Sequence, residues 1–186
     1  MGIRVYAILY YEDDPGKNTA LKMIKMGIAE PINKRGVRGA PVVLNPFSRV
    51  YLGAWLKERI LKHGIVVVDA SWKKLSAGRF KGIRGLHVKL PPLFPGNPVN
   101  YGKLCMLSSV EAVAAAVYLT GFLEYYEKLL GLYKWMATFH ELNKELLEEY
   151  SKAGSNEELM EVIAECWGNE NPCNMVNSEN GGGAGA

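Results

Sequence analysis

No apolar run in this chain approaches the roughly 20 residues that a membrane-spanning helix needs. Residues 1–11 hold neither a long apolar region nor a cleavage-site pattern. Both absences argue against a membrane anchor and against secretion, so the cytoplasm is the expected compartment. Cysteine is scarce: Cys105, Cys166 and Cys173 are odd in number and lack C-x-x-C spacing, which argues against a zinc site and against a disulfide framework. Free thiols are the expectation, with Cys166 and Cys173 able to meet in the tail. His63, His87 and His140 are scattered and no H-E-x-x-H occurs, so a histidine metal centre has no support. The chain also lacks G-x-G-x-x-G, G-x-x-x-x-G-K-S/T and any Ser-His-Asp pattern, which disfavours nucleotide hydrolysis and serine chemistry.

What is present is ample apolar content, 48% of 186 residues, enough for one good core or two small ones. Charge is divided unevenly. Residues 1–95 hold 17 Lys and Arg against 6 Asp and Glu, whereas residues 96–186 hold 5 against 13, so halves of +11 and −8 lie behind the net +3. A basic half beside an acidic half suits a protein that turns one face toward a polyanion. Arg59, Lys62, Lys73, Lys74, Arg79, Lys81 and Arg84 crowd one short span, and phosphate contacts are a usual purpose of such clustering. A solvated face is the plainer alternative.

Residues 4–10 alternate like a strand, and Asn18 can cap a helix running to about residue 28. Residues 41–44 and 65–69 are continuous β-branched runs of the kind that buried parallel strands show. Between them Ser48 reads as the cap of an amphipathic helix to residue 63. Residues 71–77 read as a short helix and 83–90 as a further strand. After residue 93 the pattern becomes helix upon helix, at 108–120, 122–132, 136–152 and, behind Ser155 and Glu158, to residue 167. The expected architecture is an α/β lobe with a parallel sheet at 1–92, an all-helical lobe at 93–168, and a flexible Gly-rich tail at 169–186.

The most informative stretch is residues 97–122, NPVNYGKLCMLSSVEAVAAAVYLTGF. Asn97, Pro98, Asn100 and Gly102 break regular structure and leave backbone groups for a ligand. Ser108 and Glu111 then spell a capping box, and the following turns, 112–116, carry so little bulk that a flat group could lie against them. An ordinary capped core helix would read the same way.

The strings NPVNYG, LSSVEA, GF, YKW and EEY, preceded by DPGKNTALK at 14–22, VVLNP at 42–46, VVVDASW at 66–72 and Leu90-Pro91, resemble the small-subunit rRNA aminocarboxypropyltransferase family. The resemblance covers roughly residues 3–152 in the family's order and spacing. Asp13, Gly16 and Asn18 depart from the Cys and Lys usual around the Asp-Pro pair, and Asn45 stands where Ser is usual. The resemblance implies a SPOUT-like α/β lobe with a deep trefoil knot and S-adenosylmethionine as cofactor. It assigns adenine cover to Leu44, Pro46 and Trp72, main-chain contacts to Leu90 and Cys105, a ribose contact to Val68, and the methionine end to Thr19 and Ser109. From the residues alone Trp72 is equally a core tryptophan, and Ser109 equally a plain neighbour of the cap.

The reaction implied is transfer of the aminocarboxypropyl group to ring N3 of a pseudouridine, often already N1-methylated, near the decoding centre of small-subunit rRNA, with release of methylthioadenosine. Asp69 is the sole acidic residue between Glu58 and Glu111, so it is the candidate proton acceptor. A helix cap before Ser71 and a counter-ion for the sulfonium are its alternatives. RNA contact is expected from the basic span with help from Lys134. A SPOUT-type RNA methyltransferase and a non-catalytic RNA-binding assembly factor are the rival readings. The partner is small-subunit rRNA or the pre-ribosomal small subunit, and a monomer is expected because the helical lobe could cover the surface on which SPOUT enzymes dimerise.

Overall fold

A computed structural model describes residues 2–173. Five strands, β1 (Val5–Leu9), β2 (Glu30–Pro31), β3 (Val42–Leu44), β4 (Ile65–Asp69) and β5 (Leu86–Val88), form one sheet in the order β2-β1-β4-β3-β5, every pairing parallel. Six helices accompany them: α1 (Thr19–Lys25), α2 (Lys57–His63), α3 (Ser109–Leu119), α4 (Leu123–Leu130), α5 (Met136–Ser151) and α6 (Asn156–Trp167). None is long and apolar enough to cross a membrane.

β3 and β4 are buried along almost their whole length, which explains why they read as unbroken apolar runs. Alternate residues serve different cores. Val5, Ala7, Val42, Leu44, Ile65 and Val67 join the large cluster with α3 to α6, whereas Ile8, Val43 and Val66 join a smaller one with Leu75, Phe80 and Ile83. Because all strands run the same way, the ends of β3, β4 and β5 open on a single edge, where open parallel sheets bind their ligands.

Helix α3 lies against β4, α1, α4 and α5, and Val113 to Val117 are fully buried. Its small side chains therefore admit close packing of protein, and of the expected flat-group surface only Ala112 faces open space. The Ser108–Glu111 capping box is present. Asn18 caps α1, accepting from Leu21 N at 2.9 Å. At α6, Ser155 accepts from Glu158 N, but the Glu158 carboxylate turns to Gly154 N instead of closing a box.

Two local expectations, a cap at Ser48 and a helix at 71–77, are not met. Ser48 caps nothing: its hydroxyl donates to His87 O at 2.8 Å, Tyr51 bridges Lys89, and the helix starts only at Lys57 after a 3-10 turn at Ala54–Leu56. Residues 71–77 form turns rather than a helix, ahead of a 3-10 turn at Ala77–Arg79. β2 is a two-residue strand too short to show a pattern.

Cysteine corrects a further expectation. Cys105 and Cys173 are disulfide-bonded across 68 residues of sequence, and Cys166 is the free, exposed thiol. With Asn171 donating to the Tyr51 hydroxyl, this ties residues 169–173 back to the body; residues 174–186 of the expected tail lie outside the described residues.

Candidate active site

Beyond the carboxyl ends of β3, β4 and β5 lies a cavity of about 1070 Å³. Thr19, Leu44, Pro46, Val68, Trp72, Leu90, Cys105 and Ser109 all line it, as does Asp69. These residues come from α1, from three strand ends, from the turn after β4 and from the start of α3. The parallel sheet is what assembles them.

Asp69 is the electrostatic centre. It is the last residue of β4 and only 8% exposed. Asn18 Nδ2 donates to its Oδ2 at 2.6 Å and Ser109 Oγ donates to its Oδ1 at 2.8 Å. Burial pushes its carboxyl above the ordinary aspartate range; the two hydrogen bonds oppose that shift, and repulsion from Asp13 and Glu12 adds to it. A carboxylate has about four lone-pair sites, so two remain for a proton or a cation.

Thr19 Oγ1 accepts from Val110 N at 3.1 Å, satisfying one of the free N–H groups at the start of α3. Its own hydroxyl proton is left to donate. Ser109 is placed the other way round, its proton committed to Asp69 and its oxygen able to accept. Trp72 Nε1 donates to Leu107 O at 3.0 Å, which fixes the indole between the smaller core and the cavity. Cys105 has φ of 70° and donates its N–H to Leu93 O at 2.9 Å, so its carbonyl is the main-chain group it can offer.

The loop ahead of α3 is organised by a residue that sequence reasoning treated only as a cap. Glu111, fully buried, accepts from Gly96 N at 2.6 Å, Asn97 N at 3.1 Å, Asn97 Nδ2 at 2.8 Å, Ser108 N at 2.8 Å and Ser108 Oγ at 2.7 Å. Asn97 Oδ1 in turn takes Asn100 N at 2.9 Å. Several N–H groups expected to await a ligand are thus spent inside the protein. Gly96 is required for a separate reason, since a Cβ there would stand 2.5 Å from Phe139 N. Asn143, also fully buried, clamps Phe94 through both its N–H and its C=O. The i, i+3 spacing of Ser108 and Glu111 was the signal for the cap; nothing local announced the contacts to 96 and 97.

Asn45, at the unusual Ser position, accepts from Phe47 N at 2.9 Å and donates to His87 Nδ1 at 3.0 Å, while His87 Nε2 donates to Ile83 O. It has a structural role of its own at the end of β3.

The basic residues are placed differently. Of the expected RNA-contacting set, Lys73 lines the cavity, and Lys62, Lys73, Lys74, Lys81, Arg84 and Lys134 are exposed. Arg59 donates to Ala40 O at 3.1 Å, and Arg79 pairs with Glu12 while lying 4.2 Å over the Tyr10 ring. Those two guanidinium groups already have partners inside the protein. Among the described residues no cluster of His, Cys, Asp and Glu could hold a metal ion.

Known proteins resemble this chain over most of its length. Residues 42–167 match the family model described as ribosome biogenesis protein, C-terminal. The 16S rRNA aminocarboxypropyltransferase of Sulfurisphaera tokodaii is 44% identical over 163 residues, 88% of this chain and 95% of that protein. Its counterpart in Saccharolobus solfataricus is 42% identical over the same lengths. Among solved structures, the SAM-dependent rRNA:acp-transferase Tsr3 from Vulcanisaeta distributa superposes with a TM-score of 0.80 at 33% identity, covering 96% of this chain and all of that one.

Proposed function

The chain belongs to the ribosome-biogenesis family of S-adenosylmethionine-dependent rRNA aminocarboxypropyltransferases, and we propose that it transfers the 3-amino-3-carboxypropyl group to N3 of a pseudouridine, N1-methylated or not, in small-subunit rRNA. It is a transferase, and S-adenosylmethionine is its donor. The observation that carries the finer reading is a cavity that gathers apolar cover, free main-chain groups, two hydroxyls and one buried carboxylate.

The residues present fit that donor. Leu44, Pro46 and Trp72 offer flat apolar cover for a purine; Leu90 and Cys105 offer main-chain groups to its edge, and Val68 to the ribose. Thr19 can donate to the carboxylate of the methionine end, and Ser109 can accept from its ammonium. When bound, the donor supplies a sulfonium that activates each of its three carbons. In the transfer the N3–carbon bond forms, the bond from that γ-carbon to sulfur breaks, and the electron pair leaves with methylthioadenosine. The protein's task is placement, because selectivity among three activated carbons is geometric. Asp69 accepts the N3 proton, its basicity raised by burial and its orientation fixed by Asn18 and Ser109.

Residues 1–92 would carry RNA and donor, and 93–168 would complete the donor site. The parallel sheet is compatible with a SPOUT-type trefoil knot; a contour length on mechanical unfolding shorter than the full chain would mark one. We place the enzyme in the cytoplasm, acting as a monomer on the pre-ribosomal small subunit. Incubation with small-subunit rRNA and donor labelled in the carboxyl carbon or in the methyl group tests the reaction. Carboxyl label should enter RNA. Methyl label alone would establish methyl transfer, and absence of donor binding in calorimetry would favour a non-catalytic assembly factor.

A further inference from the structure

Val99 and Tyr101 stand 66% and 62% exposed on the loop that Glu111 fixes from beneath. Neither joins a core cluster. The loop is held tightly: besides the Glu111 and Asn97 bonds, Lys103 N donates to Asn100 O at 2.9 Å. Val99, Asn100 and Lys103 line the cavity, and Tyr101, next to Asn100 in the chain, does not. Besides Asp69 at the end of β4, the cavity's acidic residues Glu12, Asp13 and Asp14 come from the loop after β1, so the charge that loop 97–103 offers is that of exposed Lys103.

A base that is to react beside Asp69, 8% exposed, must leave its stack and enter the cavity. Extrusion deprives the neighbouring nucleotide of a stacking partner. An exposed aromatic side chain carried on a hydrogen-bonded loop beside the cavity lining suits such a nucleotide, because every base has a face to stack and a backbone already held in place loses little entropy in presenting the ring.

Resting on the transferase reading above, we propose that loop 97–103 is a nucleobase-stacking rim: the Tyr101 ring receives an unpaired rRNA base adjoining the acceptor, Val99 covers its edge, and the Lys103 ammonium meets the phosphate. The rim selects single-stranded over paired RNA, since in a duplex no base face is available to Tyr101.

The test compares wild type, Tyr101→Ala and Tyr101→Trp by fluorescence anisotropy on two probes, a small-subunit rRNA hairpin with an unpaired loop and a fully paired duplex of equal length. Tyr101→Ala should bind the hairpin about ten-fold more weakly and the duplex as wild type does, with Tyr101→Trp restoring hairpin affinity. Donor affinity by calorimetry and thermal unfolding should be unchanged in both variants. Equal hairpin affinity for wild type and Tyr101→Ala overturns the proposal, as does an equal loss on both probes. So does a Tyr101→Ala protein whose only defect is association between copies in ultracentrifugation, which would assign the ring to a protein contact. If wild type transfers no carboxyl label yet the hairpin-specific loss is present, the reaction reading fails and the stacking rim stands.

Discussion

Asp69 Oδ1 accepts a 2.8 Å hydrogen bond from Ser109 Oγ, joining the end of β4 to the first residue of α3. With Asn18 on the other oxygen, one carboxylate holds together the N-terminus of α1, a central strand and the N-terminus of α3. The same group that could accept a proton from the substrate also registers the walls of the cavity.

Asp69→Asn separates these roles. An amide can keep both bonds, its oxygen toward Asn18 and its NH₂ toward Ser109 Oγ, so the fold should persist. The native pKa is raised, so the fold favours the protonated carboxyl more than the unfolded chain does; that contribution to stability is complete below the unfolded aspartate pKa and lost as pH rises through the higher native one. At neutral pH the variant should therefore melt at or above the wild-type temperature while transfer falls at least about ten-fold. Wild-type kcat should decline as pH falls through the raised pKa, and the variant should lack that limb. Unchanged kcat in Asp69→Asn would remove the proton-acceptor role.

Trp72→Ala should weaken donor binding by about ten-fold or more, through loss of one face of the purine slot. Trp72→Phe keeps a ring but loses the bond to Leu107 O, at a cost of about 1 kcal/mol in stability. Calorimetry and urea unfolding on both variants decide the matter: unchanged affinity with collapsed stability would make Trp72 a core residue only.

Glu111→Gln should destabilise the protein by about 3 kcal/mol, because whichever way the amide turns, its NH₂ meets N–H donors that a carboxylate satisfied. Urea unfolding measures this. Amide exchange should quicken at Gly96, Asn97 and Asn100 ahead of the rest, and a uniform change would show that Glu111 acts as a helix cap alone.

Neutral substitutions at Arg59, Lys62 and Lys81 should weaken RNA binding and reduce the salt slope by about 0.7–0.9 for each phosphate that is no longer neutralised. Arg59 also holds Ala40 O, so its variant should melt slightly lower. Donor affinity should not move. Identical slopes for wild type and the triple variant would exclude this span as the RNA surface.

The legible parts of this molecule are those whose cause lies within a few residues. Ser108 with Glu111, Asn18 with Leu21, and the β-branched runs at 42–44 and 65–69 each announce themselves locally, and all are found. Ser48 had the right type for a cap, but its hydroxyl bonds His87 O, 39 residues away. Cys105 and Cys173 carried no spacing signal because their pairing depends on where α6 ends. The hydroxyl and carboxylate roles at Thr19, Asp69 and Ser109 are likewise long-range: family resemblance put Thr19 and Ser109 at one site and the scarcity of nearby acidic residues singled out Asp69, but which atom donates to which could be read only from the fold.

The cavity wall extends in sequence from Glu12 to Cys173, with the disulfide to Cys105 joining its late part to its middle. A ribosome adds about 5–20 residues each second, so on the order of ten seconds pass between the emergence of the first wall and the last. During that interval the nascent chain has the acidic loop after β1 but not the whole of the cavity wall. Under the proposed reading the last donor-contacting residue to emerge is Ser109, so a chain halted before α3 has its strands made without a complete donor site, and the wall at Cys173 closes only afterwards.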